Sequence, residues 1–224
     1  MNVAILFVMF IGFFSLSSQT GNMADPAYYL GYVFWLYANN VISESSVSIS
    51  SEKQSGTFEQ LLIKPTSLVT ILSFRTVCWF LLTTLEIIGV LAVMHMVFRL
   101  PIGFHVLVIP VFLITMLGLM GLSFLLSALT LIYTKTASFS SILSYVLLFF
   151  TGAIYGNPSK NFAYYVFPLS QGIEISRSLV NGLSVTCNDV IILVLNSIAY
   201  LLAGLFLFRM VMKQGLQNGI SSKY

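Results

Sequence analysis

Long apolar runs separated by short polar segments dominate this 224-residue chain. A helix that crosses the hydrocarbon core of a bilayer, about 30 Å thick, needs around 20 mainly apolar residues. Six runs approach that length, at residues 2–17, 27–43, 68–98, 102–133, 137–155 and 190–212. The pattern therefore predicts an all-α membrane protein with six transmembrane helices in a single transmembrane domain, residues 1–224.

Composition supports this prediction and narrows the class of protein. Hydrophobic residues make up 58% of the chain and charged residues only 8%, whereas soluble domains average about 45–50% and 25%. Charged side chains this scarce cannot cover a soluble core, which excludes a soluble enzyme, a disordered chain and a disulfide-rich secreted domain. The net charge of +3 comes without a basic stripe, so we expect no nucleic-acid partner.

The first run, 2–17, begins at the initiator methionine with no basic residue before it. A secretory signal peptide would have a basic region there and a small-residue cleavage site. We therefore expect a retained first span. A partial span and a misassigned start are the alternatives.

Basic residues predict the orientation, because cytoplasmic loops of membrane proteins carry an excess of Lys and Arg. With six spans, both termini lie on one side together with Lys53, Lys64, Arg75, Lys135, Arg209, Lys213 and Lys223. The opposite side retains Arg99, Lys160 and Arg177. We therefore expect both termini and the polar segment 44–66 on the cytoplasmic side of the inner or plasma membrane.

The longest polar segment, residues 42–67, contains a short amphipathic pattern. Its apolar residues are spaced as on one face of a helix: Phe58, Leu61 and Leu62. Thr57 and Gln60 have the spacing of a capping box, and Pro65 ends the turn or begins the next helix. The pattern predicts a short cytoplasmic helix, which either rests on lipid headgroups or binds a partner.

The string SEKQSGTFEQLLIKPTS in this segment closely resembles the cytoplasmic loop of type-2 ABC exporter permeases, the membrane subunits of ATP-driven exporters of drugs, peptides, lipids and polysaccharides. The residues at the positions typical of that family are Glu52, Gly56, Thr57, Glu59, Leu61, Leu62 and Pro65. The resemblance implies that residues 52–65 form a coupling helix that docks on an ATP-hydrolysing subunit. It also implies partner contacts by Phe58, Glu59, Leu61 and Leu62.

The resemblance extends over about residues 28–212. The small-residue run 118–128 is similar to the fourth span of the family, and 148–155 is similar to the end of its fifth span. The outer stretch of the family is matched by Pro168, Glu174 and Arg177. The resemblance implies that residues 156–188 form an outer re-entrant helical segment. An interfacial aromatic segment is the alternative.

Small residues at four-residue spacing favour close packing of helices in membranes. Ser123 and Ser127 have this spacing in the fourth run, and Gly121 extends the small face. We expect close packing along this span against a helix that the pattern does not specify.

The sequence contains no constellation for catalysis. A Gly-rich phosphate loop ending in Gly-Lys-Ser/Thr is absent, and so are paired carboxylates. We expect no catalytic residue, no metal site and no cofactor bound by this chain. The resemblance implies two ATPase subunits that bind ATP and Mg²⁺, and a second permease subunit, identical or related, in a membrane lipid environment.

Glu86 is the conspicuous intramembrane charge, twelve residues from the end of run 68–98. Such residues usually face a bundle interior or a cavity. We expect a polar contact in the translocation path or between permeases, or a protonated carboxyl hydrogen-bonded to another helix. Towards the outer side, Glu174 and Arg177 stand three residues apart and can pair on a helix.

The leading hypothesis is the permease subunit of an ATP-driven exporter of an amphipathic or hydrophobic substrate, such as a drug, peptide or lipid. One alternative is an ion- or proton-coupled secondary transporter that uses Glu86. Another is a membrane immunity or accessory protein that transports nothing. An ATPase reading frame beside the gene would favour the exporter.

Overall fold

The computed structural model of the chain describes residues 11–12, 28–63, 66–98, 105–133, 137–151 and 162–218. Regular structure in these ranges is helical throughout, in agreement with the predicted all-α class. In chain order the helices are α1 (Tyr28–Gln54), α2 (Phe58–Ile63), α3 (Leu68–Phe98), α4 (Val108–Ile132), α5 (Ala137–Phe150), α6 (Phe162–Val166), α7 (Pro168–Val180) and α8 (Cys187–Asn218). Residues 11 and 12 are helical as well.

Three helices in the described part of the chain are long and apolar enough to cross a membrane. Their candidate spans are Leu68–Val93 in α3, Val108–Ile132 in α4 and Cys187–Gln214 in α8. They overlap the third, fourth and sixth predicted spans, and α3 begins at the predicted residue, 68. The outer surfaces of α3 and α8 expose large apolar side chains such as Leu85 and Phe206, as contact with lipid requires.

The first, second and fifth predicted spans stay predictions. Span 2–17 lies outside the described residues except for 11 and 12. The described part of span 27–43 forms the first part of α1, and the described part of span 137–155 is α5 with one further residue.

Helix α1 does not end where the predicted loop begins. It continues for three turns through the serine-rich part of segment 42–67, which the apolar pattern assigned to a polar loop. Between Leu30 and Ser50 only Val47 is exposed. Ser45, Ser46 and Ser48 are buried and bonded to neighbouring helices, so they serve as interior groups and not as a solvated loop.

Helices α1 and α4 form the centre of the bundle. Helix α1 packs against α3, α4, α5 and α7, and α4 packs in addition against α8. Three aromatic rings join α1, α3 and α4: Tyr37 lies 4.7 Å from Phe112 and 5.1 Å from Phe80, centroid to centroid. The Trp35 indole N–H donates to the Ser144 carbonyl at 3.1 Å and fixes α5 against α1.

The α4–α8 interface brings two backbones into direct contact. A Cβ atom on Gly121 would overlap the Tyr200 carbonyl, and one on Gly204 would overlap the Gly121 carbonyl. A Cβ atom on Gly118 would lie 3.0 Å from Ser197 Oγ. Close packing along the fourth predicted span is therefore observed, with α8 as the partner helix.

The described part of the predicted outer segment, 156–188, contains the short helix α6, the helix α7 and the start of α8. Pro168 occupies the first turn of α7, where its missing N–H costs nothing. Gly182, with φ of 68°, ends the helix. Helix α7 lies inside the bundle against α1, α4 and α8. Its insertion into the outer leaflet stays a prediction.

Candidate functional site

A tight turn joins α1 to α2 at the position of the sequence resemblance. The Gly56 N–H donates to the Lys53 carbonyl at 3.2 Å, and the Thr57 N–H donates to the Glu52 carbonyl at 3.0 Å. These bonds form a Schellman motif, which requires a left-handed residue at its centre, and Gly56 has φ of 68°. The Thr57 hydroxyl also donates to the Glu52 carboxylate at 2.6 Å, which fixes the start of α2.

Helix α2 is held by two buried side chains, Phe58 and Leu61, with 7% and 5% of their surfaces exposed. They join a hydrophobic cluster with residues of α1, α3, α4 and α8, namely Ile49, Leu68, Leu72, Phe124, Ala128, Leu131 and Phe208. Phe58 and Leu61 thus lie on one face of α2, as their spacing in the sequence indicated. Helix α2 therefore shares one apolar cluster with four longer helices.

The burial of this pair bears on one expectation from the resemblance. The side chains of Phe58 and Leu61 face the interior of this chain, and the contacts with a partner subunit that the resemblance implies for them stay a prediction. On the opposite side of α2, Gln60 is exposed and Ile63 is 83% exposed. The side chains of Glu59 and Leu62, and Pro65 as a whole, lie outside the described residues.

Lys53 is a buried lysine with 8% of its surface exposed. Its ammonium donates to the Leu131 carbonyl at 2.7 Å and to the Thr130 carbonyl at 3.1 Å, both in the last turn of α4. Carbonyls at a helix C-terminus lack partners within the helix and carry partial negative charge. The same ammonium lies 5.7 Å from the centroid of the Phe58 ring. One cation therefore connects α1, α2 and α4.

Arg75 connects the turn to α3. Its guanidinium forms an ion pair with Glu52 at 2.8 Å, and it also donates to the Ser48 hydroxyl. The two side chains of the ion pair are 37% and 22% exposed. Glu52, which the resemblance indicated, thus accepts from Thr57 and from Arg75. Sequence reasoning had used Arg75 only for orientation.

A series of polar contacts, here called the polar ladder, joins α1 to α3 above this ion pair. Its rungs are Tyr37–Thr84 at 2.7 Å, Asn40–Thr83 at 2.9 Å, Glu44–Trp79, Ser45–Thr76 at 3.5 Å, and Ser48–Arg75. Residue numbers fall on one helix as they rise on the other, so the two helices are antiparallel. Hydrogen bonds between helices in a membrane contribute roughly 0.6–2 kcal/mol each, so α1 and α3 form one unit with α2 at its closed end.

Glu44 is the half-buried carboxyl of this ladder. Burial raises its pKa above the ordinary value, and the hydrogen bond from Trp79 and the charge of Arg75 act in the opposite direction. Ser46, on the other side of α1, shares a hydrogen bond of 2.8 Å with Thr130 of α4. The end of α1 that the charge distribution predicts to be cytoplasmic is thus hydrogen-bonded to both α3 and α4.

Glu86 lies on α3, one turn beyond Thr83 at the end of the polar ladder, and is half-buried. Among the described residues no hydrogen bond or ion pair involves its carboxyl group. Its part in a translocation path stays a prediction.

Pro168, Glu174 and Arg177 all lie on α7, distant in sequence from the turn. Arg177 is 7% exposed and Glu174 is half-buried. The ion pair that their spacing allows stays a prediction. Helix α7 instead approaches α4 so closely that a Cβ atom on Gly172 would overlap the Thr115 hydroxyl.

A polar network that the sequence did not indicate connects α6, α7 and α8. The Tyr164 hydroxyl donates to Asp189 at 3.0 Å, and the Asn196 amide donates to the Tyr165 carbonyl at 2.6 Å. The same amide also donates to Gln171 at 3.3 Å. Because the bonded residues lie 25 and 31 positions apart, no local sequence pattern indicates these contacts.

Comparison with known proteins gives one match. The sequence model described as ABC-2 type transporter matches residues 1–181, which include every helix from α1 to α7 and the whole α1–α2 turn. No curated protein and no solved structure matches the chain. The chain therefore belongs to the ABC-2 type transporter family and is a multi-pass membrane protein of the kind that serves as permease in an ABC transporter.

Proposed function

We propose that this chain is the permease subunit of an ATP-driven exporter and that α2 is its coupling helix. The observation that carries the proposal is the position of α2. It lies at the closed end of the α1–α3 unit, and Lys53 in the same turn bonds the end of α4. A displacement of α2 would therefore be transmitted to three long helices at once, α1, α3 and α4.

The energy would come from a separate protein. Two ATPase subunits would bind ATP and Mg²⁺, and a second permease, identical or related, would complete the complex in the inner or plasma membrane. Both termini and α2 would be cytoplasmic. The substrate would be amphipathic or hydrophobic, such as a drug, peptide or lipid.

The partner surface of α2 would be its outer side, where Gln60 and Ile63 are exposed. An isoleucine that is 83% exposed fits insertion into the apolar groove of a partner, as in other helix-in-groove complexes. Phe58 and Leu61 would anchor α2 to the bundle, so that a force on the outer side of α2 would displace the helices that these two side chains contact. Glu59 and Leu62 would add contacts, as the resemblance implies.

Movement would pass from α2 along two routes. The polar ladder makes α1 and α3 move together. Lys53 transmits the displacement to α4, which contacts α8 through Gly121 and Gly204 and contacts α7 through Thr115 and Gly172. Close-packed helices transmit strain because their interiors are nearly incompressible. The outer segment around α7 would thus respond to ATPase closure, and a path between the permeases would open.

The test uses Ile63→Asp in the complex of the permease with its ATPase. We expect loss of ATPase co-purification and of substrate-stimulated ATP hydrolysis, with normal membrane insertion. The matched control is Val106→Asp, because Val106 is 70% exposed at the other end of the bundle. If Ile63→Asp retains full coupling, or if both variants lose it equally, α2 is not the docking element.

The alternatives make different predictions. A secondary transporter that uses Glu86 would continue transport after ATP depletion and stop when the proton gradient collapses. An immunity or accessory protein would bind its target without transporting it. The exporter would transport its substrate in sealed vesicles only while the partner subunit hydrolyses ATP.

A further inference from the structure

A groove runs along the surface of the α1–α3 unit, beside the lower part of the polar ladder. Its volume is about 530 Å³, within the range of pockets that hold small molecules. Its lining includes Glu44 of α1 and, on α3, Phe74, Arg75, Trp79 and Leu82. Phe74, Trp79 and Leu82 are 68%, 40% and 51% exposed, so the groove is open to the surroundings of the bundle.

The two charged groups of the lining differ in their partners. The Arg75 guanidinium forms an ion pair with Glu52 at 2.8 Å and donates to the Ser48 hydroxyl. Glu44 accepts a hydrogen bond from the neutral indole of Trp79 and takes part in no ion pair with another described residue. The charge of Arg75 acts on Glu44 without forming an ion pair with it. The carboxylate is therefore the charged group of the groove that still lacks a cation in direct contact.

Glu44 also lies deeper in the membrane than Arg75. The polar ladder pairs Glu44 with Trp79, one turn further from the start of α3. The 31 residues of α3 give about 46 Å, so a hydrocarbon core of about 30 Å leaves roughly 8 Å of helix at each end. Arg75 lies about 10 Å from the start of the helix and Trp79 about 16 Å. The carboxylate is thus below the lipid headgroups, and a cation that reaches it must belong to a molecule that dissolves in the hydrocarbon core.

The apolar part of the lining fits a cation of this kind. Phe74 and Trp79 present partly exposed rings to the groove. A cation is attracted to the face of an aromatic ring, and more strongly when water is excluded. Leu82 continues the apolar surface towards the middle of the bilayer. The lining therefore offers a carboxylate to a positive charge and aromatic and aliphatic surface to the bulky groups that surround it.

We infer that this groove binds lipophilic organic cations, with the positive charge at Glu44 and the apolar groups against Phe74, Trp79 and Leu82. A lipophilic anion of the same shape would meet the carboxylate and is disfavoured. A neutral molecule would gain the apolar contacts alone. Charge, in addition to hydrophobicity, is thus the property that the groove selects.

The inference deepens the proposed function and rests on it for one step, because a molecule held in this groove would be a substrate of the exporter. Binding itself needs only the groove and is measured on the chain without its ATPase. A failure of the groove to bind cations is therefore distinguishable from a failure of α2 to couple.

The binding assay is isothermal titration calorimetry of the purified full chain in detergent micelles, with two probes titrated separately. Tetraphenylphosphonium carries a positive charge shielded by four phenyl rings. Tetraphenylborate has the same rings and the opposite charge, so it is the matched control for hydrophobic partitioning. The variants are Glu44→Gln and, as control, Glu174→Gln, which changes a half-buried carboxyl of α7 outside the groove.

We expect saturable binding of tetraphenylphosphonium, at least about tenfold tighter than that of tetraphenylborate, because one opposite charge at about 5 Å and an effective dielectric constant of about 20 suffices for this ratio. Glu44→Gln abolishes the preference, and Glu174→Gln keeps it. Trp79→Ala weakens the binding of the cation several-fold, whereas Trp79→Phe, which retains a ring, keeps most of it.

The substrate role is tested in the complex with the ATPase. We expect tetraphenylphosphonium to stimulate ATP hydrolysis by the wild-type complex and not by the Glu44→Gln complex. Ile63→Asp, which acts on coupling, should lose the stimulation while the chain still binds the probe.

Four results would overturn the inference. Equal affinity for the two tetraphenyl ions would mean that the groove recognises hydrophobicity alone. A preference for the cation that survives Glu44→Gln would place the site elsewhere. Binding that appears only when permease subunits separate would mean that another protein chain covers the groove. Binding that depends on Glu44 without any stimulation of a coupled wild-type complex would contradict the substrate role.

Discussion

Replacement of Lys53 by methionine tests the connection between the α1–α2 turn and α4. Methionine keeps most of the length and apolar volume of the side chain and removes its charge and its three N–H donors. The hydrogen bonds to the carbonyls of Leu131 and Thr130, at 2.7 and 3.1 Å, are lost. The contact with the Phe58 ring loses its electrostatic part.

The magnitude follows from these contacts. Hydrogen bonds to charged groups contribute roughly 1.5–3 kcal/mol each, and a cation–π contact contributes about 0.5–2 kcal/mol. Methionine also removes the desolvation cost of a buried ammonium, which offsets several kcal/mol of this loss. We expect the free energy of unfolding to fall by about 2–3 kcal/mol, mostly because two helix-terminal carbonyls become unpaired.

The assay is equilibrium unfolding in mixed micelles with increasing SDS, followed by far-UV circular dichroism. Lys213→Met is the control, because Lys213 is an exposed lysine of α8, and we expect a change below about 0.5 kcal/mol for it. In the complex, Lys53→Met should retain the ATPase and lose substrate-stimulated hydrolysis. An unfolding free energy equal to that of the control, with full stimulation, would refute a structural and coupling role of Lys53.

Glycine positions give two further predictions. Gly121→Ala should lower the free energy of unfolding by about 1–3 kcal/mol, because its Cβ overlaps the Tyr200 carbonyl. The control Gly89→Ala, with open space around the position, should change this free energy little. Equal effects of the two variants in SDS unfolding would contradict the α4–α8 contact. Gly56→Ala should lower the free energy of unfolding by about 1–2 kcal/mol because φ is 68°, and Gly56→Asn should lower it less. Equal SDS unfolding midpoints for the two variants would argue against the left-handed turn between α1 and α2.

The long apolar helices could be predicted from the sequence, because lipid selects for continuous apolar runs. Helix α3 begins at Leu68, the residue where the predicted third span begins. The three-residue apolar face of the short helix was also informative, since Phe58 and Leu61 are buried together. Local periodicity was sufficient where the environment of a helix is uniform.

Burial of polar residues could not be predicted in this way. The serines near the end of α1 indicated a loop, but Ser45 and Ser46 are buried and bond Thr76 and Thr130. Lys53 was interpreted as a cytoplasmic surface charge, although α4 covers it. In each case the compensating partner is distant in sequence, so hydropathy alone cannot distinguish an interior polar residue from an exposed one.

The partner of a close helix contact was equally invisible. The small face of the fourth span around Gly121 was recognised, but Gly204 on α8, which completes it, carries no signal of its own. A glycine matters there because another backbone approaches, and that approach depends on the tertiary arrangement.

The proposed function requires the outer side of α2 to contact the ATPase. The most direct measurement is photo-crosslinking of the assembled transporter with a benzoyl-phenylalanine residue at position 63 or, as control, at position 106. We expect an ATPase crosslink from position 63, stronger with bound ATP, and none from position 106. An active transporter with no ATPase crosslink from position 63, or with one only from position 106, would contradict it.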